Sequence, residues 1–322
     1  MRNTERGNSD AEKLPWRIAS RLNSFRGSGI GVADAIRQMA LIDGVSALEL
    51  NYPQHLLELR EGELDRLLDE TGLLLTALNL RLEGRVFAQG AFTSPDSQVR
   101  AEAVNVACSA VELAERHGAN HVVLWMADDG WDYPFQAEYA ALWEREIECF
   151  RTVADQNSDI RVSVEYKPRE PRAFSLIRSM GDALLAVQEV DRPNFGVTID
   201  ICHSYMAGEH PPAAAAAALR RGKLFGVHLN DGYGTADDGL MVGSVHPRDT
   251  LEFLYVLRAA GYSGTVYFDT FPVREEPAAE LAANIAALEH FWGQLNRLDE
   301  AALQSAGSAH DGIAVSHLML SQ

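Results

Sequence analysis

The stretch Ile160-Arg161-Val162-Ser163-Val164-Glu165-Tyr166-Lys167 decides the fold. It is a short, largely apolar run ending on a carboxylate, and the pattern recurs three times downstream. Residues 195–199 precede Asp200, residues 224–227 precede His228, and residues 265–268 precede Asp269. Runs of this length and polarity, bounded by polar residues, read as buried parallel strands. A ligand-type residue at the end of each of four strands is how a barrel builds one cation site from separate segments. Carboxylate and imidazole donors suit a hard or borderline divalent ion.

Outward from these runs, strand-like and helix-like segments alternate. Residues 17–22, 46–50, 73–80 and 121–125 read as four earlier strands, and residues 32–41, 55–71, 94–117 and 135–155 as helices. Residues 172–190, 213–221, 248–260 and 278–296 read as the helices after the four later strands. Eight strand–helix units predict a closed (β/α)8 TIM barrel over residues 16–296. A doubly wound open sheet is the runner-up, and it gathers ligands from four consecutive strands less readily. Residues 1–15 are polar, mixed in charge and without the apolar segment of a secretory signal, so they read as a loose tail. Residues 297–322 read as a C-terminal extension, either packed between subunits or disordered. The long loops 81–93 and 229–246 follow strands, on the face where barrels carry their sites.

Composition narrows the partners. The 322 residues are 47% hydrophobic, enough for one large core, and no apolar run approaches the roughly 18 residues of a membrane span. A net charge of −18 disfavours nucleic acid and anionic membranes. Three cysteines, Cys108, Cys149 and Cys202, form no spaced framework and fit reduced thiols in the cytoplasm. The glycines of residues 27–31 alternate, and the third falls too early for a dinucleotide fingerprint.

Glu165 and Lys167 are two apart, so both project to one side of an extended chain, and Pro168 and Pro171 stiffen the following turn. A lysine beside a metal-bound carboxylate can hold a substrate oxygen and stabilise charge developing on it. Asp200 and His203 can enter one pocket if the chain turns between them. Asp237 and Asp238, in a glycine-containing loop, can complete a second cation site, with His246 a further candidate in the same loop. Asp269, directly after an apolar strand, is costly to bury without a partner, and a metal supplies one. Trp125 can form an apolar wall against the CH face of a sugar. Arg81 can meet an anionic group on a substrate or pair with Glu83. Asn51, at the end of the second strand, is a candidate substrate contact.

Assembled, these residues resemble the xylose isomerase-like barrels, and within them xylose and rhamnose isomerases. The segment from Glu165 through Lys167 and Glu170 to Arg172 is similar to the xylose isomerase metal-and-lysine segment. Asp200-Ile201-Cys202-His203, followed by Met206-Ala207-Gly208, is similar to its next metal strand. Residues 87–93 are similar to the loop before its third helix. Residues 125–130 and His228-Leu229-Asn230-Asp231 look closer to rhamnose isomerase, and Phe268-Asp269 before a proline is similar to the last metal strand. The resemblance covers about residues 16–290. It implies a first divalent metal on Glu165, Asp200, His228 and Asp269. It also implies a second on His203 and one or both of Asp237 and Asp238, with Glu165 bridging. The implied activity is aldose–ketose interconversion, in which metals polarise adjacent oxygens, hydrogen moves as hydride, and Lys167 steadies the carbonyl oxygen. Mn²⁺ is the first expectation for the metal, with Mg²⁺ and Co²⁺ next. A homo-oligomer is implied as well. Two departures stand out: the ring-opening histidine of xylose isomerase gives way to Glu49-Leu50-Asn51-Tyr52, and its phenylalanine wall is replaced near Arg81.

Other readings remain open at this level. A one-metal sugar or keto-acid epimerase or lyase would exchange protons through Glu165 and Asp269. A damaged-DNA endonuclease also occurs on this barrel type, but the strong negative charge argues against it. A non-enzymatic carbohydrate-binding role is the remaining alternative.

Overall fold

A computed structural model of the chain describes residues 13–27 and 29–320. Residues 1–12 of the tail expected over 1–15 lie outside the described residues. Eight parallel strands form one sheet: β1 (Arg17–Ser20), β2 (Ala47–Tyr52), β3 (Leu74–Arg81), β4 (His121–Trp125), β6 (Arg161–Glu165), β8 (Phe195–Asp200), β9 (Leu224–Leu229) and β10 (Thr265–Phe268). Their order is β1-β10-β9-β8-β6-β4-β3-β2, and the Ser46 amide, 3.0 Å from the Ile18 carbonyl oxygen, links β1 to the start of β2. The result is a nearly closed (β/α)8 TIM barrel. Two further short strands, β5 (Gly130–Trp131) and β7 (Phe174–Ser175), pair antiparallel beside the mouth.

The major helices are α1 (Val32–Ala40), α3 (Glu63–Thr71), α4 (Ser97–Arg116), α5 (Tyr139–Gln156), α6 (Met180–Val190), α8 (Pro211–Leu219), α9 (Pro247–Ala259) and α10 (Pro277–Arg297). Two short ones, α2 (Gln54–Leu57) and α7 (Ile201–Met206), sit at strand ends. The helix expected over 55–71 is split into α2 and α3, with Gly62 in the left-handed region at φ 68° just before α3. The helix expected from 172 begins only at Met180, because residues 174–175 are drawn into the β5–β7 ribbon. Ser179 then caps α6 by accepting the Asp182 amide. Past the barrel, the extension forms α11 (Glu300–Ser308) and α12 (Gly312–Leu320).

Strand side chains alternate between the barrel interior and the helix layer, and both sides are covered. Polar contacts pin the interior: His121 Nε2 lies 2.7 Å from Ser163 Oγ, which lies 2.6 Å from Thr198 Oγ1. Gly226 is required beside them, since a Cβ there would sit 2.3 Å from Thr198 Oγ1.

Candidate active site

Register brings the strand-end donors together. Asp200 pairs with His228 across β8 and β9, and Glu165 pairs with Thr198 across β6 and β8. The Asp269 amide bonds the Leu229 carbonyl at 3.1 Å, extending the β10–β9 ladder. One donor atom from each of Glu165, Asp200, His228 and Asp269 then lies within 4.8 Å of the others. A second group, Asp200, His203 and Asp237, meets the same limit and shares Asp200.

The three-residue spacing of Asp200 and His203 has a local cause. Asp200 ends β8 and also caps α7, its Oδ1 accepting the His203 amide at 3.0 Å. The cap turns the chain at once and keeps His203 beside the carboxylate that starts the helix. Asn230, to which the sequence reading assigned no role, orients three parts of the site. Its Nδ2 donates to Asp200 Oδ2 at 2.9 Å and to the Asp269 carbonyl at 3.1 Å, and its Oδ1 accepts the Cys202 amide. Glu49 was also missed as a site residue. It is buried on β2, receives Asn79 Nδ2 and lies 3.9 Å from His228 Nε2, the face of that ring opposite Glu165. An acid inside the apolar run of residues 47–50 was the available signal.

The loop after β9 separates the two adjacent aspartates. Asp237 Oδ2 lies 2.9 Å from Lys167 Nζ and 3.3 Å from His203 Nε2. Asp238 falls outside both donor groups, a departure from its expected place in the second set. Its carboxylate instead accepts the Tyr233 amide at 2.7 Å. His246 also stands apart, with Nδ1 2.8 Å from Asp231 Oδ1, and Asp231 accepts the amides of Val245 and His246. Cys202 is buried beneath this loop, and burial pushes its thiol pKa up to about 12.

Charge is crowded here. Burial pushes Asp200 up to about 7, assisted by Asp237, Glu165 and Asp269 and opposed by His203. Burial also raises Asp269, although Arg21 and His228 pull it down. For Glu165, burial is outweighed by His228 and His203, which hold its carboxyl below the usual range. Burial likewise opposes the charge on Asp237, but His203 and Lys167 overcome it and depress its pKa. The imidazoles respond in kind. Despite burial, His203 rises to about 9 beside Asp200 and Asp237, and His228 to about 10 beside Glu165 and Glu49.

These residues fit a divalent cation. His203 Nδ1 and Asp237 Oδ1 are buried without a hydrogen-bond partner among the described residues, inside a cluster of acids. Unpaired buried polar atoms are costly, and a cation completes both.

The remaining candidates line the other side of the mouth. Trp125 ends β4, with the Arg81 guanidinium 4.3 Å and Lys167 Nζ 5.5 Å from its ring centroid. Arg81 pairs with Glu83 at 3.3 Å. The Asn51 amide donates to His55 Nδ1 at 3.0 Å. Trp125, Glu165 and Lys167 also line one small cavity with Asp129 and Glu146. A wider groove lies away from this site, between α9, α10 and the C-terminal helices, and is largely apolar, with Leu251, Tyr255, Leu295, Leu303 and Met319 in its wall.

The family model described as Xylose isomerase-like TIM barrel matches residues 38–290. The chain belongs to this family. Among curated proteins, xylose isomerase from Thermus thermophilus is 33% identical over 216 residues, covering 65% of this chain and 56% of that protein. The match therefore spans little more than half the length of that relative. Among solved structures, L-ribulose 3-epimerase superposes with a TM-score of 0.72 at 18% identity, covering 88% of this chain and 97% of that one. D-allulose 3-epimerase from Methylomonas sp. gives 0.71 at 17% identity, covering 86% and 98%. At these identities the superpositions speak for the barrel. Within the xylose isomerase-like family, this chain presents two adjoining donor groups at the C-terminal ends of β6, β8, β9 and β10.

Proposed function

We propose that this protein is a divalent-metal-dependent sugar isomerase that interconverts an aldose and a ketose. The observation that carries the reading is the pair of donor groups joined at Asp200, one with Glu165, His228 and Asp269, the other with His203 and Asp237. Two adjoining cations flanked by a lysine suit adjacent carbonyl and hydroxyl oxygens better than a single ion does. Bound there, the metal supplies Lewis-acid polarisation of those oxygens.

The chain's own residues supply position and charge. Although burial opposes it, Asp237 and Glu170 keep Lys167 cationic by raising its pKa. It is therefore a fixed donor for the substrate carbonyl oxygen. Asn230 holds the Asp200 carboxylate, and Glu49 faces the far side of the His228 ring, so two donors are oriented from behind. Trp125 offers a flat apolar wall for the sugar's CH face.

Mn²⁺ is our choice of metal, with Mg²⁺ or Co²⁺ as substitutes. We also read a homo-oligomer. α12 is largely apolar yet has no fully buried residue, with Ile313 and Leu320 exposed, and such a helix suits a subunit contact. Among the described residues no helix is long and apolar enough to cross a membrane. We place the work in cytoplasmic carbohydrate metabolism.

A second reading, epimerisation by proton transfer, is favoured by one observation. Glu165 and Asp269 belong to one donor group and can serve as a carboxylate pair, and two of the superposed structures are named as 3-epimerases of ketoses. NMR of the Mn²⁺-loaded protein in D₂O with a panel of aldoses and ketoses separates the two. A new sugar free of deuterium supports the hydride-shift isomerase. Deuterium at the reacting carbon replaces it with proton transfer, and failure to bind metal overturns both.

A further inference from the structure

The mouth of the barrel where β1 and β3 end is cationic, although the chain carries a net charge of −18, and it adjoins the metal donors through Arg21 and Asp269. Arg21 follows β1 and Arg81 ends β3, so the two flank the end of β2. Their guanidiniums are held by aromatic faces: Arg21 lies 4.7 Å from the Phe271 centroid, and Arg81 lies over Trp125. Each meets one acid through Nε alone, Arg21 at Asp269 (3.4 Å) and Arg81 at Glu83 (3.3 Å). Among the described residues, the terminal nitrogens of both forks have no hydrogen-bond partner. A third guanidinium nearby, Arg26, is already taken by Glu58.

His55 senses all three. It is buried between them, its Nδ1 accepting the Asn51 amide and its Nε2 2.7 Å from Asn23 Oδ1. Burial, with Arg26, Arg81 and Arg21, drives its pKa down to about 3, so it stays neutral and adds no charge of its own. Stacking on a ring fixes a guanidinium plane while leaving its outer edge free, the arrangement that receives an oxyanion through two parallel hydrogen bonds. The exposed Arg81–Glu83 contact is of the weak kind that yields to a bound anion. A neutral sugar can accept hydrogen bonds from these forks but does not neutralise their charge.

We propose that the substrate carries an oxyanion, a carboxylate or a phosphate, away from its reacting carbons, and that Arg21 and Arg81 bind it where β1 and β3 end, next to the donor Asp269. This rests on the sugar-isomerase reading above and adds the class of sugar. Lys167, salt-bridged to Asp237 and Glu170, stays with the reacting oxygens.

The test is calorimetric binding to the Mn²⁺-loaded protein of three matched ligands: a neutral aldose, the corresponding uronate and the corresponding terminal phosphate. One of the two anions is expected to bind at least about tenfold tighter than the neutral sugar. That advantage should shrink with added salt and be lost in Arg81→Gln and Arg21→Gln. Whichever anion wins names the group. Equal affinity for all three ligands, or an advantage that survives both substitutions, overturns the proposal. Turnover, followed separately, tests the function. Conversion of neutral sugars without anion preference removes the oxyanion site and keeps the isomerase. Anion preference without conversion of any ligand keeps the site and removes the isomerase.

Discussion

Strands β6, β8, β9 and β10 lead into Glu165, Asp200, His228 and Asp269, whereas β1, β3 and β4 lead into Arg21, Arg81 and Trp125. One half of the mouth is a buried cluster of acids and imidazoles. The other is a partly exposed set of guanidiniums on aromatic faces. The first half can hold a cation, which would pair the His203 and Asp237 atoms left without a hydrogen bond among the described residues. The second offers free donors to whatever enters. On the proposed reading, chemistry falls to the first half and recognition to the second, and the two meet at Lys167, salt-bridged to Asp237 and near the Trp125 ring, and at Arg21, paired with Asp269.

The division breaks most visibly in the metal half. Glu165→Ala or Asp269→Ala should cut turnover by about 10³-fold or more, with far-ultraviolet circular dichroism unchanged. In the metal-free protein Asp269→Ala relieves crowding among carboxylates, whereas Glu165→Ala also takes a partner from His203 and His228, so turnover is compared on protein that circular dichroism shows to be folded. Full activity in either variant would place the chemistry elsewhere.

At the junction, Lys167→Met should lower kcat by about 10²-fold while bound metal, measured by elemental analysis, stays the same. Loss of the metal along with activity would assign Lys167 to holding the cluster rather than the substrate.

Stability of the metal-free protein sharpens the contrast in charge. His203 at about 9 and His228 at about 10 lie above the unfolded value near 6.5. Their contribution is therefore fully present below about pH 6.5 and disappears as pH rises through 9 and 10. The melting temperature of the metal-free protein should fall by several degrees between pH 7 and 10. Metal loading should remove this slope, because imidazoles bind metal unprotonated, and should release protons at neutral pH. Calorimetry in buffers of different ionisation enthalpy reads that release, and its absence would contradict the charge state drawn here.

Smaller effects belong behind Trp125. Asp129 is buried and accepts the amides of Ala91, Phe92 and Thr93 and the Thr93 hydroxyl, pinning the loop after β3. Asp129→Asn should cost about 1–3 kcal/mol in chemical denaturation. Its neighbour Glu146 is buried with neither carboxyl oxygen bonded among the described residues, and burial and Asp129 hold its pKa well up. Glu146→Leu should therefore stabilise the protein by roughly 1 kcal/mol. A loss of stability instead would mean that the carboxyl has a partner in solution.

The metal half was the more legible in the sequence, for a physical reason. An acid or histidine directly after a buried strand has little to recommend it energetically unless something pairs with it, so Glu165, Asp200, His228 and Asp269 stood out. Lys167 followed from strand alternation. Contacts set by register between distant strands leave little local trace, which is why Asn230 was given no role and the acid within residues 47–50, Glu49, was not read as part of the site. The choice between Asp237 and Asp238 turned on the loop's own path. There Gly239 adopts a left-handed conformation, and a Cβ would sit 2.3 Å from the Phe271 ring. Arg21 was hidden because the strand expected over 17–22 ends at Ser20, and the turn after it aims the arginine at Asp269.

The sheet order carries a consequence for how the chain is made. β10 is the last barrel strand to leave the ribosome, and its ladder partner is β1, the first. Until it docks, Asp269 is missing from the donor group, and a nascent chain holds an open sheet with an incomplete set of ligands. Capture of a cation by the full set would therefore wait on the end of synthesis, and a tightly held ion would mark a molecule whose barrel has closed.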